Sequence, residues 1–152
     1  QYDPTIHFVM AGTGDLLPKM IRRVAQLKMG ANFHFTGFLK GNDVDQMFAM
    51  SDVFVMPSIS EPFGIVPLEA MRLDVPCVIS KQSGVSEVLQ NVLKVDFWDI
   101  NGLADSIYGL CHYPKLSEMF KKKGKEEVDN LKWEFASKKI KDVYEKAIEI
   151  TR

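Results

Sequence analysis

Two cysteines in 152 residues, Cys77 and Cys111, are too few for a disulfide framework. Both lie in apolar surroundings, Cys77 ahead of a strand-like run and Cys111 at the end of a helical one, which predicts reduced thiols in a core. The three histidines, His7, His34 and His112, are scattered and offer no metal-ligand spacing. No serine, cysteine or histidine arrangement suggests a nucleophile relay. No apolar run approaches the roughly 20 residues of a membrane span, and no secretory leader is expected ahead of Tyr2. A soluble, cytoplasmic chain is the expectation. Nineteen basic residues against 20 acidic ones leave a net charge of −1, which excludes nucleic acid or an anionic membrane as a broad electrostatic partner. Internal repeats, low-complexity segments and linkers are missing as well.

What is present reads as globular. Hydrophobic residues make up 46% of the chain and charged residues 26%, enough for a sizeable core. The length suits a single domain over residues 1–152, since domains most often run to about 100–150 residues. Ile6 to Ala11 is a β-rich run closed by the turn Gly12-Thr13-Gly14-Asp15. Leu17, Met20, Ile21, Val24 and Leu27 recur at helical spacing, with Gly30 expected to end that helix. Phe33 to Phe35 is a second strand, and Asp43 with Gln46 resembles a capping box ahead of Val44, Met47 and Phe48. Val53 to Met56 is a third strand, continuously apolar as expected where helices cover both faces. A helix from Pro67 to near Asp74 follows, then strands at Val78-Ile79 and Val92 to Val95 about a turn shaped by Gly84 and Glu87. Three helices close the chain, the last lined by Phe135, Ile140, Val143, Tyr144, Ala147 and Ile148. The alternation predicts an α/β fold: a Rossmann-like, mostly parallel sheet with helices on both faces and a helical C-terminal segment.

Two short motifs carry less than they suggest. Gly12-x-Gly14 lacks the third glycine of a dinucleotide fingerprint, Leu17 standing in its place, and reads as a tight turn. Asp43-x-Asp45 mimics a metal-binding pair but sits where a helix would be capped.

The stretch Pro57 to Arg72, P-S-I-S-E-P-F-G-I-V-P-L-E-A-M-R, is the chemical centre of the chain. It joins a strand to a helix through Pro57, Pro62 and Gly64, and in parallel sheets ligands lie beyond the carboxyl ends of the strands. Pro67 suits a first helical position. The amides of Gly64, Ile65 and Val66 would then lie at the positive helix end, where donors and dipole favour an anion. Glu61 and Glu69, with seven residues between them, would accept hydrogen bonds from hydroxyls. Taken alone, Glu69 is a first-turn carboxylate worth roughly 0.3–1 kcal/mol to its helix, and Glu61 a solvated loop acid.

Taken together, S-D-V-F-V-M-P-S-x-x-E-P-F-G-I-V-P-L-E-A-M resembles the glutamate–seven–glutamate signature of retaining, two-domain GT-B glycosyltransferases, the group 1 family that includes glycogen synthases. Phe33 to Leu39 is similar to the family's strand and loop facing the nucleotide base, and Ser83 to Val88 to its G-G-x-x-E-V turn, with Ser83 in place of the first glycine. Gln90-Asn91-Val92 stands where the family has a glycine-bearing turn, and Trp133 to Tyr144 resembles the closing helix.

The resemblance implies the donor-binding half of a glycosyltransferase that moves a sugar from a nucleotide diphosphate sugar to a hydroxyl acceptor. Glu61 would meet the donor sugar's hydroxyls and Glu69 the ribose. The backbone of Phe63, Gly64, Ile65 and Val66 would serve sugar and diphosphate, and Leu39 would touch the base. It implies no cofactor and no obligatory metal. It also implies that an N-terminal acceptor domain and the domain's first strand, with a basic loop, lie outside this chain. One of three outcomes is then expected: direct pairing of the two strands left without that neighbour, self-association in which another chain fills the incomplete sheet, or aggregation. The alternative is a Rossmann-like module that binds a nucleotide without catalysis.

Overall fold

The computed structural model describes residues 3–150, apart from the side chains of residues 133–136 and 150. The elements are β1 (Phe8–Ala11), α1 (Leu17–Gln26), β2 (Phe33–Gly37), α2 (Asn42–Ala49), β3 (Phe54–Met56), α3 (Val66–Arg72), β4 (Cys77–Ser80), a single 3-10 turn (Gly84–Glu87), β5 (Leu93–Val95), α4 (Ile100–His112), α5 (Pro114–Asn130) and α6 (Trp133–Ile150). Strands alternate with helices and every ladder is parallel, as the pattern predicts. The chain divides into two compact units, Gln1–Gln46 and Met47–Arg152.

In the first unit β1 pairs with β2, Phe8 opposite Phe33 and Met10 opposite Phe35. Asn32 sets the start of this ladder. Its Nδ2 donates to the carbonyls of Pro4 (2.8 Å) and Ile6 (3.1 Å), and its own carbonyl accepts from the Phe8 amide at 2.7 Å. α1 stops earlier than Gly30 suggested: Leu27 is its C-cap, and Lys28 takes up the left-handed turn at φ 57°. α2 already contains Asn42, so Asp43 stands within the first turn beside Asp45 and is not a cap; a first-turn carboxylate still favours the helix dipole.

In the second unit the strand order is β3-β4-β5, with β4 in the middle. All four residues of β4 are buried, and since neighbouring strand residues face opposite ways, both faces of β4 are covered. Val78 packs with Val95 of β5 and Leu110 of α4, flanked by Leu103, Leu116 and Phe120. On the other face the Cys77 thiol points toward α3, its Sγ 3.6 Å from the Pro67 carbonyl. Burial pushes this thiol up to about 12, so it stays protonated and inert. Cys111, by contrast, is exposed and not a core thiol, because α4 turns it away from the Leu110 side. α6 also departs from expectation: Ile140, Val143, Tyr144 and Ile148 are all exposed, Tyr144 at 66%. The Phe135 side chain expected on that stripe lies outside the described ones. Among the described residues no helix is long and apolar enough to cross a membrane.

Candidate functional site

The Pro57–Arg72 stretch leaves β3 at its carboxyl end and enters α3 at Val66, so Pro67 is the second helical residue, not the first. Ile65 occupies the N-cap position without a side-chain hydrogen bond, and its carbonyl accepts from the amides of Leu68 (2.9 Å) and Glu69 (3.2 Å). α3 has only seven residues, so its dipole adds little to what the loop's own donors supply. Those donors are open. Among the described residues no acceptor faces the amides of Phe63, Gly64 and Ile65.

Gly64 holds φ at 86°, a conformation that disfavours any side chain, and a Cβ there would lie 3.0 Å from Cγ of Glu61 and 3.1 Å from Cε of Met56. The glycine is therefore required by the turn itself. Glu61 is half-buried and Glu69 exposed in the first turn of α3. Ile59, Phe63, Ile65 and Val66 are all exposed around them, Ile65 at 57%, a concentration of apolar surface that isolated exposed residues do not produce. Leu39 lies in the first unit, two residues beyond β2 and half-buried.

What holds the loop is the turn after β4. Glu61 forms an isolated parallel bridge with Ser83. The Gly84 amide donates to the Glu61 carbonyl and the Val85 amide to the Phe63 carbonyl, both at 2.8 Å. Gly84 is pressed so closely on the loop that a Cβ would overlap the Pro62 carbonyl oxygen and lie 3.2 Å from Cα of Phe63. Ser83, in the place of a glycine, uses its hydroxyl locally, donating to the Ser80 carbonyl at 2.7 Å. Sequence reading singled out Glu61, Gly64 and Glu69 but not this clamp. The available signal was a glycine four residues beyond a buried strand, within a run of serines at 80, 83 and 86.

The structure also brings together two residues that spacing kept apart. His7 Nδ1 and His34 Nε2 are 3.1 Å apart across the first unit. Among the described residues no group of three or more possible metal ligands exists, so this pair stands as a hydrogen bond between imidazoles.

Residues 1–127 match the family described as glycosyl transferases group 1. The chain belongs to that family. N-acetyl-alpha-D-glucosaminyl L-malate synthase of Bacillus anthracis is 30% identical over 140 residues, covering 90% of this chain and 35% of its own. HepE of Anabaena, solved with UDP, superposes with a TM-score of 0.83 at 19% identity, over 95% of this chain and 42% of that one. The C-terminal domain of a group 1 glycosyl transferase, LpcC of Francisella tularensis, gives 0.70 at 23% identity, over 77% and 64%. These matches bear out the family resemblance read from the E-P-F-G stretch and the Rossmann-like α/β fold. The chain spans only 22% to 35% of the length of the curated relatives matched first.

Proposed function

We propose that this chain is the donor-binding half of a retaining glycosyltransferase, which moves a sugar from a nucleotide diphosphate sugar to a hydroxyl acceptor. The observation that carries the reading is the run of open amides at Phe63, Gly64 and Ile65, bracketed by Glu61 and Glu69 and braced by Gly84 and Val85. Successive backbone donors with no acceptor among the described residues suit phosphate oxygens and the charge that grows on a departing nucleotide diphosphate. The Val66 amide completes the set at the first residue of α3. Glu61 accepts from the donor sugar's hydroxyls, Glu69 from the ribose, and Leu39 touches the base. UDP is the first nucleotide to try, because it was captured in the Anabaena neighbour.

On this reading the acceptor site belongs to an N-terminal domain outside the chain, and the enzyme works in the cytoplasm. Among the described residues β1 has β2 as its ladder partner on one side and β3 has β4 on one side. Each such one-sided strand supports the proposal that a further strand, supplied by the whole protein or by another copy, completes it.

Titration calorimetry with UDP, UDP-glucose and the corresponding ADP and GDP compounds tests the reading. A nucleotide sugar is expected to bind more tightly than its free nucleotide, with the difference lost on Glu61→Ala. Equal binding of the free nucleotide, indifferent to Glu61, would replace the transferase half by a non-catalytic nucleotide module.

A further inference from the structure

We infer that Gln82 is a positioning residue for the Glu61–Val66 loop, acting through the turn that clamps it. The inference rests on the reading of that loop as the donor site, and its test separates the two. Gln82 lies two residues beyond β4, half-buried, and both ends of its side-chain amide are engaged. Oε1 accepts from the Ser80 hydroxyl at 2.8 Å and from the Phe97 amide at 3.3 Å, while Nε2 donates to Oδ1 of Asp96 at 2.9 Å. The orientation is forced, because turning the amide over would set donor against the Phe97 N–H and acceptor against the carboxylate. The other carboxylate oxygen of Asp96 takes Nζ of Lys81 at 2.8 Å. Gln82 thus ties the residues after β4 to those after β5.

The clamp hangs directly on this tie. The Gln82 amide donates to the Ser80 hydroxyl at 3.1 Å. The Ser83 amide (3.2 Å) and hydroxyl (2.7 Å) both donate to the Ser80 carbonyl, and the Ser86 hydroxyl donates to the Lys81 carbonyl at 2.8 Å. Residues 80–86 therefore share a set of local bonds, and from it the Gly84 and Val85 amides donate outward to the loop. Because Gly84 has no clearance from the Pro62 carbonyl, a displaced turn cannot slide; it must take the loop with it or release it. An apolar residue of similar size would fill the space of Gln82 but leave the Phe97 amide and the Asp96 oxygen without partners.

Amide hydrogen exchange followed by NMR on the whole chain reads this without knowing the ligand. Gln82→Ala is expected to speed exchange at Gly84 and Val85 by about tenfold or more while Val78 and Ile79 in the buried strand keep their rates. Gln82→Glu alone sets two carboxylates face to face and should loosen the same two amides. Adding Asp96→Asn reverses amide and carboxylate, restores every bond to the side chain at 82, and should bring both amides back. Unchanged exchange at Gly84 and Val85 in Gln82→Ala, equal acceleration in β4, or no recovery in the reversed pair overturns the inference. In parallel, UDP-glucose affinity is expected to follow the same order of variants. If the unaltered chain binds no UDP-glucose while the exchange pattern holds, Gln82 still positions the loop and only the donor reading falls.

Discussion

In the first unit β1 leads through α1 to β2, and in the second β3 leads through α3 to β4; each is a parallel crossover built on short apolar strands. Their burial differs sharply. Among the described residues of the first unit only Asn32 is buried, whereas β4 is buried throughout. Neighbours explain this. β4 has a strand on each side, α3 packed against one face and α4 against the other, while β1 has β2 alone as a ladder partner among the described residues. Similar sequence patterning therefore yields a fully buried platform only where both edges and both faces are occupied. The open amides of the E-P-F-G loop are braced from that platform. Leu39, the residue proposed to touch the base, belongs to the less buried unit.

The largest expected effect tests the platform. Gly84→Ala places a Cβ on the Pro62 carbonyl oxygen, a backbone atom with nowhere to go. Overpacking of this kind costs about 1–3 kcal/mol and occasionally more, and the upper end is expected here, together with loss of nucleotide-sugar binding. Thermal unfolding and calorimetry on the same samples check it. A variant of unaltered midpoint that binds the donor normally would show that the clamp is slack.

Next comes the chemistry carried on the platform. Glu69 is exposed in the first turn of a short helix, so Glu69→Ala should lower the thermal midpoint only slightly. A hydrogen bond to a charged acceptor contributes roughly 1.5–3 kcal/mol, so nucleotide affinity should fall roughly ten- to a hundredfold. Leu39→Ala, in the first unit, should cost less, since it removes only an apolar contact. The reverse order would move the nucleotide's main holding point to the first unit.

Much of this was legible in the residues, for reasons the structure makes plain. The strand at Phe54–Met56, the loop and the following helix form from a contiguous stretch, so hydrophobic period, prolines and glycine suffice to place them. The clamp does not. Gly84 matters because of Pro62, 22 residues away along the chain, and Gln82 because of Asp96 and Phe97 across a strand pair. Such partners are set by ladder register, which no local pattern reports. The end of α1 was misread, since Lys28 and not Gly30 adopts the left-handed turn after it, whereas the helix from Pro67 does end near Asp74, which takes up the left-handed turn after α3. The stripe on α6 was read correctly as apolar, but periodicity does not say whether anything covers it.

A smaller effect tests the first unit by itself. Asn32→Ala removes the donors to Pro4 and Ile6. Those carbonyls belong to residues at the edge of water, so the cost should be about 1 kcal/mol, read as faster exchange at the β1 amides. Gly84 and Val85 should not respond. If they do, the two units are energetically coupled and the contrast between them is one of degree.

The smallest effect is a pH dependence confined to the second unit. The Asp96 carboxyl is held below its ordinary value, first by the hydrogen bond from Lys81 and then by that from Gln82, with the charge of Lys81 adding to them and desolvation opposing. A depressed folded-state value means that the stabilisation is fully present above the unfolded carboxylate range, near roughly 3.9. It is lost only as pH falls through the lower folded value. Between pH 7 and 5 the Gly84 and Val85 amide resonances should therefore stay still. Below about pH 4 they should begin to move together with the Gln82 side-chain amide, as the protonated carboxyl loosens its hold on Nε2. The pair lies at the surface, where water and salt screen it, so the shift should be slight and should shrink further in high salt. Asp96→Asn should abolish it while the Asn32 resonances behave alike in both proteins. Movement of Gly84 that persists in Asp96→Asn would assign the acid response to another carboxylate and detach Asp96 from the turn.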